Sequence, residues 1–245
     1  MPSAPTYVGN TAMKAGNAVN TLTDSYISMN VDDIMFLQAQ AEGTTYDFAD
    51  PSGFTLIGSF ENADNQYGAF WWKRVVGDEG VTFTVDRTSS SGLMSCTMSV
   101  WRGARASWTP FSYEGPYYAY YKNCGSSAIT PPEDYCRLIC LISVEDNVSV
   151  GDMSGDYAED FDYNSSAGNG QAFACDSYGQ TTATADISQI ASLGLVNKYW
   201  CTLTVALFPN LATWPPQTNG VLGKNIASVN GVLAYNIASI NGVSS

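Results

Sequence analysis

Histidine is missing from this 245-residue chain. With it goes the usual general base of Ser-His-Asp and Cys-His catalysis. Cations are scarce: Lys and Arg number 10 against 23 Asp and Glu, for a net charge of −13. They stand alone or in short pairs such as Lys73-Arg74. A phosphate-binding surface needs a basic stripe that displaces counterions, so nucleic acid is not an expected partner. The six cysteines, Cys96, Cys124, Cys136, Cys140, Cys175 and Cys201, include no CxxC pair. Structural zinc wants close Cys/His pairs, so the thiols read instead as small buried hydrophobes. No glycine-rich phosphate motif opens a helical pattern. The longest apolar run, 136–144, contains Arg137 and is too short to span a membrane, so no insertion is expected. The start, Met1-Pro2-Ser3-Ala4-Pro5, shows no basic region followed by an apolar run. It predicts a protein made in the cytoplasm without a signal peptide.

Charged residues are only 13% of the chain, hydrophobic residues 45%. That balance predicts a packed core. Polar positions are filled by Ser, Thr, Asn, Gly and Tyr, the residues of strands and tight turns. The dominant period is two. In 80–87, Val81, Phe83 and Val85 alternate with Thr82, Thr84 and Asp86. In 92–103, Met94, Cys96, Met98 and Val100 share a face. In 135–146, Cys136, Leu138, Cys140, Ile142 and Val144 do the same. In 199–210 it is Cys201, Leu203, Val205 and Leu207. The stretches 32–43, 52–60 and 66–76 add further strands, and turn residues bound each run. The pattern predicts an all-β, antiparallel β-sandwich, jelly-roll-like in its wiring. One segment competes. Ile187, Ile190, Ala191 and Leu193 in 184–197 are spaced like a helical face, with Gly194 as a C-cap.

Three parts follow along the chain: a sandwich over 1–208, a Pro-rich hinge over 209–218, and a repetitive segment over 219–245. The last reads NGVLGKNIASV, NGVLAYNIASI, NGVSS, with Asn-Gly pairs beginning at Asn219, Asn230 and Asn241, a period of eleven. Asn-Gly is a strong hairpin signal and glycine a poor helix residue, so each repeat reads as short strands joined by turns. Such short strands bury little by themselves. Val221, Ile226, Val229, Val232, Ile237 and Ile240 are therefore expected to pack against sister copies, most simply in a homotrimer.

Two clusters are candidates for chemistry. The aromatic stretch 107–124 holds Trp108, Phe111, Tyr113, Tyr117, Tyr118, Tyr120 and Tyr121, together with Pro110 and Pro116. Its prolines suit a long connection between two halves of the sandwich. Its rings, apolar on the face and polar at the edge, suit a subunit interface or sugar stacking. The acidic stretch 145–162 includes Asp152, Asp156 and Asp160 beside Gly151 and Gly155. Its leading reading is solvated loops and the outer face of a strand. A calcium site made by those three aspartates is the second, and a glycosidase carboxylate pair the last. No other cofactor is expected, and the chain reads as non-catalytic.

Several segments, in order, resemble a β-sandwich module of bacteriophage virion proteins and some bacterial surface proteins. They are YVGN (7–10), VDDIMFLQAQAEG (31–43), DPSGFTLIGSF (50–60), AFWWKRVVGDEGVTFTV (69–85) and MSVWRGA (98–104). Phe54 stands where that family carries Trp. The C-terminal NGV and NIAS repeats resemble those at the ends of phage tail and fibre proteins. The resemblance implies a structural role on the virion surface, as a fibre or head-decoration protein, without defined enzymatic activity. Its expected partners are other virion proteins. A host-receptor or glycan-binding adhesin is the alternative, and a polysaccharide depolymerase a third.

Overall fold

The computed structural model describes residues 3–43, 48–61, 66–88, 92–107, 109–121, 123–125, 128–145, 148–151, 153, 157–164, 171–179, 190–192 and 197–210. It also describes four two-residue strands near the C-terminus. Among these residues every regular element is a strand, and every strand pair is antiparallel.

The first half supplies β1 (Thr6–Asn10), β2 (Lys14–Val19), β3 (Thr21–Ser25), β4 (Ile34–Glu42), β5 (Phe48–Ala49), β6 (Thr55–Glu61), β7 (Gln66–Arg74), β8 (Thr82–Arg87) and β9 (Gly92–Arg102). They make a six-stranded sheet in the order β1-β9-β4-β7-β6, with β2 also on β9, and a three-stranded sheet β3-β8-β5. The second half supplies β10 (Phe111–Tyr121), β11 (Asn123–Gly125), β12 (Arg137–Val144), β13 (Ala158–Asn164), β14 (Ala172–Gly179), β15 (Ile190–Ser192) and β16 (Lys198–Leu207). These form a five-stranded sheet, β10-β16-β12-β14-β13, and the small pair β11-β15. No described strand pair joins the halves; only an isolated bridge, Ala104 to Pro209, does.

The arrangement is sandwich-like, but with a buried middle layer. The six-stranded sheet is covered on both faces, which is why β4 is buried from Ile34 to Ala41. Alternation then sorts its side chains. Met35, Leu37, Ala39 and Ala41 face the three-stranded sheet, joining Leu22, Phe83, Val85, Trp71, Met94, Cys96, Met98 and Val100. Ile34 and Phe36 face the five-stranded sheet, with Phe70, Trp101, Phe111, Leu141, Phe173, Cys201, Leu203, Val205 and Leu207. A third cluster, including Leu138, Cys140, Ile142, Val144, Met153 and Tyr157, fills the far face of the five-stranded sheet. The faces expected from period two in β9, β12 and β16 are the faces observed. In β8 the buried apolar residues are Phe83 and Val85, with Arg87 buried at the strand's end, while Val81, before the strand, lies exposed. The two adjacent tryptophans split as alternation requires: Trp71 is fully buried and Trp72 partly so.

The interface between the halves is polar at one end. Gln40 Nε2 donates to the carbonyls of Val144 (3.0 Å) and Ala172 (3.2 Å), tying β4 to the ends of β12 and β14. Gln66 Nε2 donates to the Glu145 carbonyl at 3.2 Å, and the Ser95 hydroxyl to Gln171. On the other side, Asn10 Nδ2 donates to Tyr163 Oη (2.8 Å) and Arg137 Nε to the Pro5 carbonyl (2.7 Å).

Local chemistry fixes the turns. Phe54 N donates to the Pro51 carbonyl at 2.9 Å, and Gly53 takes φ of 75°, the left-handed third position of a type II turn. Asp33, almost fully buried before β4, accepts two hydrogen bonds from Arg102 (2.9 and 2.7 Å) and one from the Asn30 amide. Lys73 and the amides of Val76 and Gly77 surround the carboxylate of Glu79. Burial works against its charged form, but these partners prevail and hold its carboxyl below the usual range.

Two expectations change. The helical spacing in 184–197 meets a strand instead: Ile190–Ser192 pairs with Asn123–Gly125, and short apolar runs carry both periods equally well. The remainder of that segment is described only at Asn197, which precedes β16. The aromatic stretch is no long connection; most of it is β10, eleven residues paired along β16. Its tyrosines favour the strand, and Pro116 is accommodated because β10 is an edge strand with a register shift between Glu114 and Tyr117.

At the C-terminus, β17 (Ser228–Val229) pairs β18 (Val232–Leu233), and β19 (Ser239–Ile240) pairs β20 (Val243–Ser244). Val229 opposes Val232 and Ile240 opposes Val243, so each pair closes across an Asn-Gly dipeptide. The side chains of Val229, Val232 and Ile240 lie outside the described features, and Val221, Ile226 and Ile237 lie outside the described residues altogether.

Candidate functional site

Edge strand β10 gathers most of the candidate aromatic residues. Cross-strand partners share a face, so the pairing with β16 assigns each ring. Tyr113 opposes Val205, Tyr118 opposes Cys201 and Tyr120 opposes Tyr199, on the side that faces the six-stranded sheet. Tyr117 opposes Thr202 and Tyr121 opposes Lys198, on the far side with Trp200. The five tyrosines are between 45% and 63% exposed, and they dominate the large exposed side chains of the described residues. Two rings are braced from behind. Tyr120 lies 4.6 Å from Tyr199 and Tyr117 lies 5.6 Å from Trp200, centroid to centroid.

Phe111, expected among the binding rings, belongs to the core. It is 4% exposed and packs edge-on against Phe36 (5.3 Å) and Trp72 (5.2 Å). Its position opposite Leu207 at the start of β10 turns it between the sheets. Trp108 lies outside the described residues.

The strand's place is set by a close approach to the other half. Pro116 touches Gly58 of β6, where a Cβ would stand 2.6 Å from the proline Cδ. The lack of a side chain at 58 lets the two sheet edges meet. The same region limits pairing with further strands. Pro116 has no N–H to offer, and the register shift around Gly115 and Pro116 interrupts the free edge.

Of the calcium candidates, Asp152 and Asp156 lie outside the described residues. Asp160, in β13, is half-buried; burial pushes its carboxyl up, opposed by Ser177 and Arg137. Among the described residues no three His, Cys, Asp or Glu side chains gather as a metal site would require. Nearby carboxylates serve the fold: Asp176 accepts from the Met153 amide (2.5 Å) and Asp162 from the Val150 amide (3.3 Å).

A cleft of about 610 Å³ opens beside the three-stranded sheet, bounded by Asp50, Lys73, Asp78, Glu79 and Asp86. Two of its carboxylates have structural tasks. Asp50 accepts from the Trp71 indole at 2.8 Å, and Glu79 binds the amides of Val76 and Gly77. All six cysteines are buried, and none is in a disulfide. Burial pushes the thiols of Cys96 and Cys136 up to about 12 and those of Cys140, Cys175 and Cys201 well above the ordinary value, which suppresses the nucleophilic thiolate.

The fold and site thus define a layered antiparallel β-protein that presents a tyrosine-lined sheet edge. No protein-family model matches the chain, and no curated protein or solved structure matches it significantly.

Proposed function

We propose that this chain is a non-catalytic structural protein of a bacteriophage virion, displayed on the particle surface as a fibre or decoration protein. The supporting observation is one of extent. The segments that resemble the phage module run from about 5 to 105, and β1 to β9, which span Thr6–Arg102, pair only among themselves. The resembling segments supply β4, β6, β7 and the end of β9, neighbours in one sheet. A module recognised by its order of segments is expected to be a self-paired unit of this kind. The paired strands around Asn-Gly at the C-terminus add the association element, through which copies join as a homotrimer. Mass spectrometry of purified phage particles, followed by a map of the particle, tests the proposal. The chain should occupy a surface position with symmetry-related copies. Its absence from purified particles defeats the proposal.

The exposed tyrosine strand favours a second reading, that the displayed protein is an adhesin for a host receptor. Replacing Tyr117, Tyr118 and Tyr121 together by Ala should then lower adsorption to host cells. Unchanged adsorption of particles carrying the folded variant removes this reading and leaves the first.

A further inference from the structure

We infer that strand β10 is a binding edge for an uncharged polysaccharide, held by ring stacking on both sides of the strand. The inference rests on the adhesin reading and names its ligand class.

Three observations carry it. First, the rings are fixed before any ligand arrives. Tyr120 leans on Tyr199 and Tyr117 on Trp200, while Ala119 between them packs into the core beneath the sheet. Braced rings lose little freedom on binding, which favours stacking partners. Second, the edge is built against strand addition. Pro116 and the register shift beside it break the main-chain ladder that an incoming strand would need. Binding here must use ring faces and phenol hydroxyls rather than backbone. A pyranose ring offers what such a surface takes: an apolar face of C–H groups with hydroxyls at its rim. Third, charge selects among sugars. The chain carries −13 overall; Arg102, Arg105 and Lys73 are engaged with Asp33, Glu133 and Glu79 away from the strand, and Lys198, opposite Tyr121, stands on the side away from Tyr118 and Tyr120. An anionic polymer would be repelled, and a neutral one not.

The strand also sets the geometry. Tyr118 and Tyr120 lie two residues apart on one side, about 7 Å along the strand. Tyr117 and Tyr121 lie four apart on the other, about 13 Å. A chain of several sugars can therefore touch two rings at once on either side, with Tyr118 and Tyr120 giving the denser platform.

The test uses the full-length protein on an array of neutral and anionic bacterial-surface oligosaccharides, with titration calorimetry on those retained. Neutral members should bind and anionic ones should not. The double variants Tyr118→Ala/Tyr120→Ala and Tyr117→Ala/Tyr121→Ala should each weaken binding by about tenfold or more, whereas Phe at the same positions should stay within about threefold. Thermal unfolding of each variant verifies that it is folded. Because the strand is exposed, both Ala and Phe forms should melt close to the parent. Retention of anionic glycans alone, or of none, overturns the inference. So does a change in sedimentation on Tyr→Ala substitution without glycan binding, since the strand would then be a subunit interface. Tyrosine-dependent adsorption of particles without glycan binding would point to a protein receptor, which spares the adhesin reading while removing this one. Glycan binding by a chain absent from particles would remove only the virion assignment.

Discussion

Gln40 sits between the two large sheets with its side chain out of water, and both its amide hydrogens meet main-chain carbonyls of the opposite half. Truncation to Ala leaves those carbonyls without their donor and opens a cavity. Gln40→Ala should cost about 2–4 kcal/mol in urea unfolding. Gln38, one strand turn away, differs: its Nε2 meets no protein acceptor among the described residues, and its oxygen has only a long 3.5 Å contact from Ser143. Gln38→Leu should therefore change stability by less than about 1 kcal/mol, or raise it. Equal losses for the two variants would contradict this account. The thiols make a second prediction at the same scale. Buried Cys96 and Cys136 keep their protons up to about 12, against an ordinary value of 9.0. Between those limits the folded chain holds more protons than the unfolded one, so stability falls as pH rises through that window. Denaturant titrations should show little thiol-linked change below pH 9 and a progressive loss above it. Alkylation at neutral pH should label none of the six cysteines until the chain unfolds.

At the scale of elements, two glycines let strands come close. Gly68 in β7 faces Phe60 and the Ala39 carbonyl, and a Cβ there would stand 2.5 and 2.7 Å from them. The carbonyl is backbone of a central strand and cannot swing aside. Gly68→Ala should destabilise by about 1–3 kcal/mol, read as a lower urea midpoint. Gly58 faces Pro116 across two sheet edges, so Gly58→Val should disturb β6 and β10 first. Hydrogen exchange would register it as faster exchange in those two strands, with β4 and β9 retaining protection. The strand β10 also shows where composition misleads. Two prolines and clustered aromatics read as a connection, yet an edge strand tolerates a proline that a central one would reject.

For the whole molecule, strand pairing and side-chain packing divide the chain differently. Pairing splits it at about residue 105, while packing joins the pieces through Ile34, Phe36, Phe70 and Trp101 on one side and Leu141, Phe173, Leu203 and Val205 on the other. A half alone would expose that face to water. The two halves should unfold in a single transition, with calorimetric and van't Hoff enthalpies equal for the body. Two separate transitions would mean that the shared core contributes little. A chain ending at Asn210 should keep this transition but sediment as a monomer, while the full chain sediments as a trimer. Trimers that persist without the C-terminal segment would place association elsewhere.

The strands β4, β6 to β9, β12 and β16, the faces of β9, β12 and β16, and the Asn-Gly pairing points were legible in the amino-acid order, because alternation and turn chemistry are local; β10 and β15, whose segments carry proline or an ambiguous period, were not. A residue such as Met98 or Leu203 reveals its side of a strand through its neighbours alone. Three things needed the folded molecule. The six-stranded sheet lies between two others, so Gln38 and Gln40, polar in the sequence, are interior. Phe111 is core while Tyr113, two residues on, is surface, since the opposing sheet covers one and not the other. The tyrosines of β10 form an edge only because β16 pairs with it on one side and no described strand pairs on the other. Each depends on which layer meets which, and that is settled by burial between segments far apart in the chain, where local pattern carries no information.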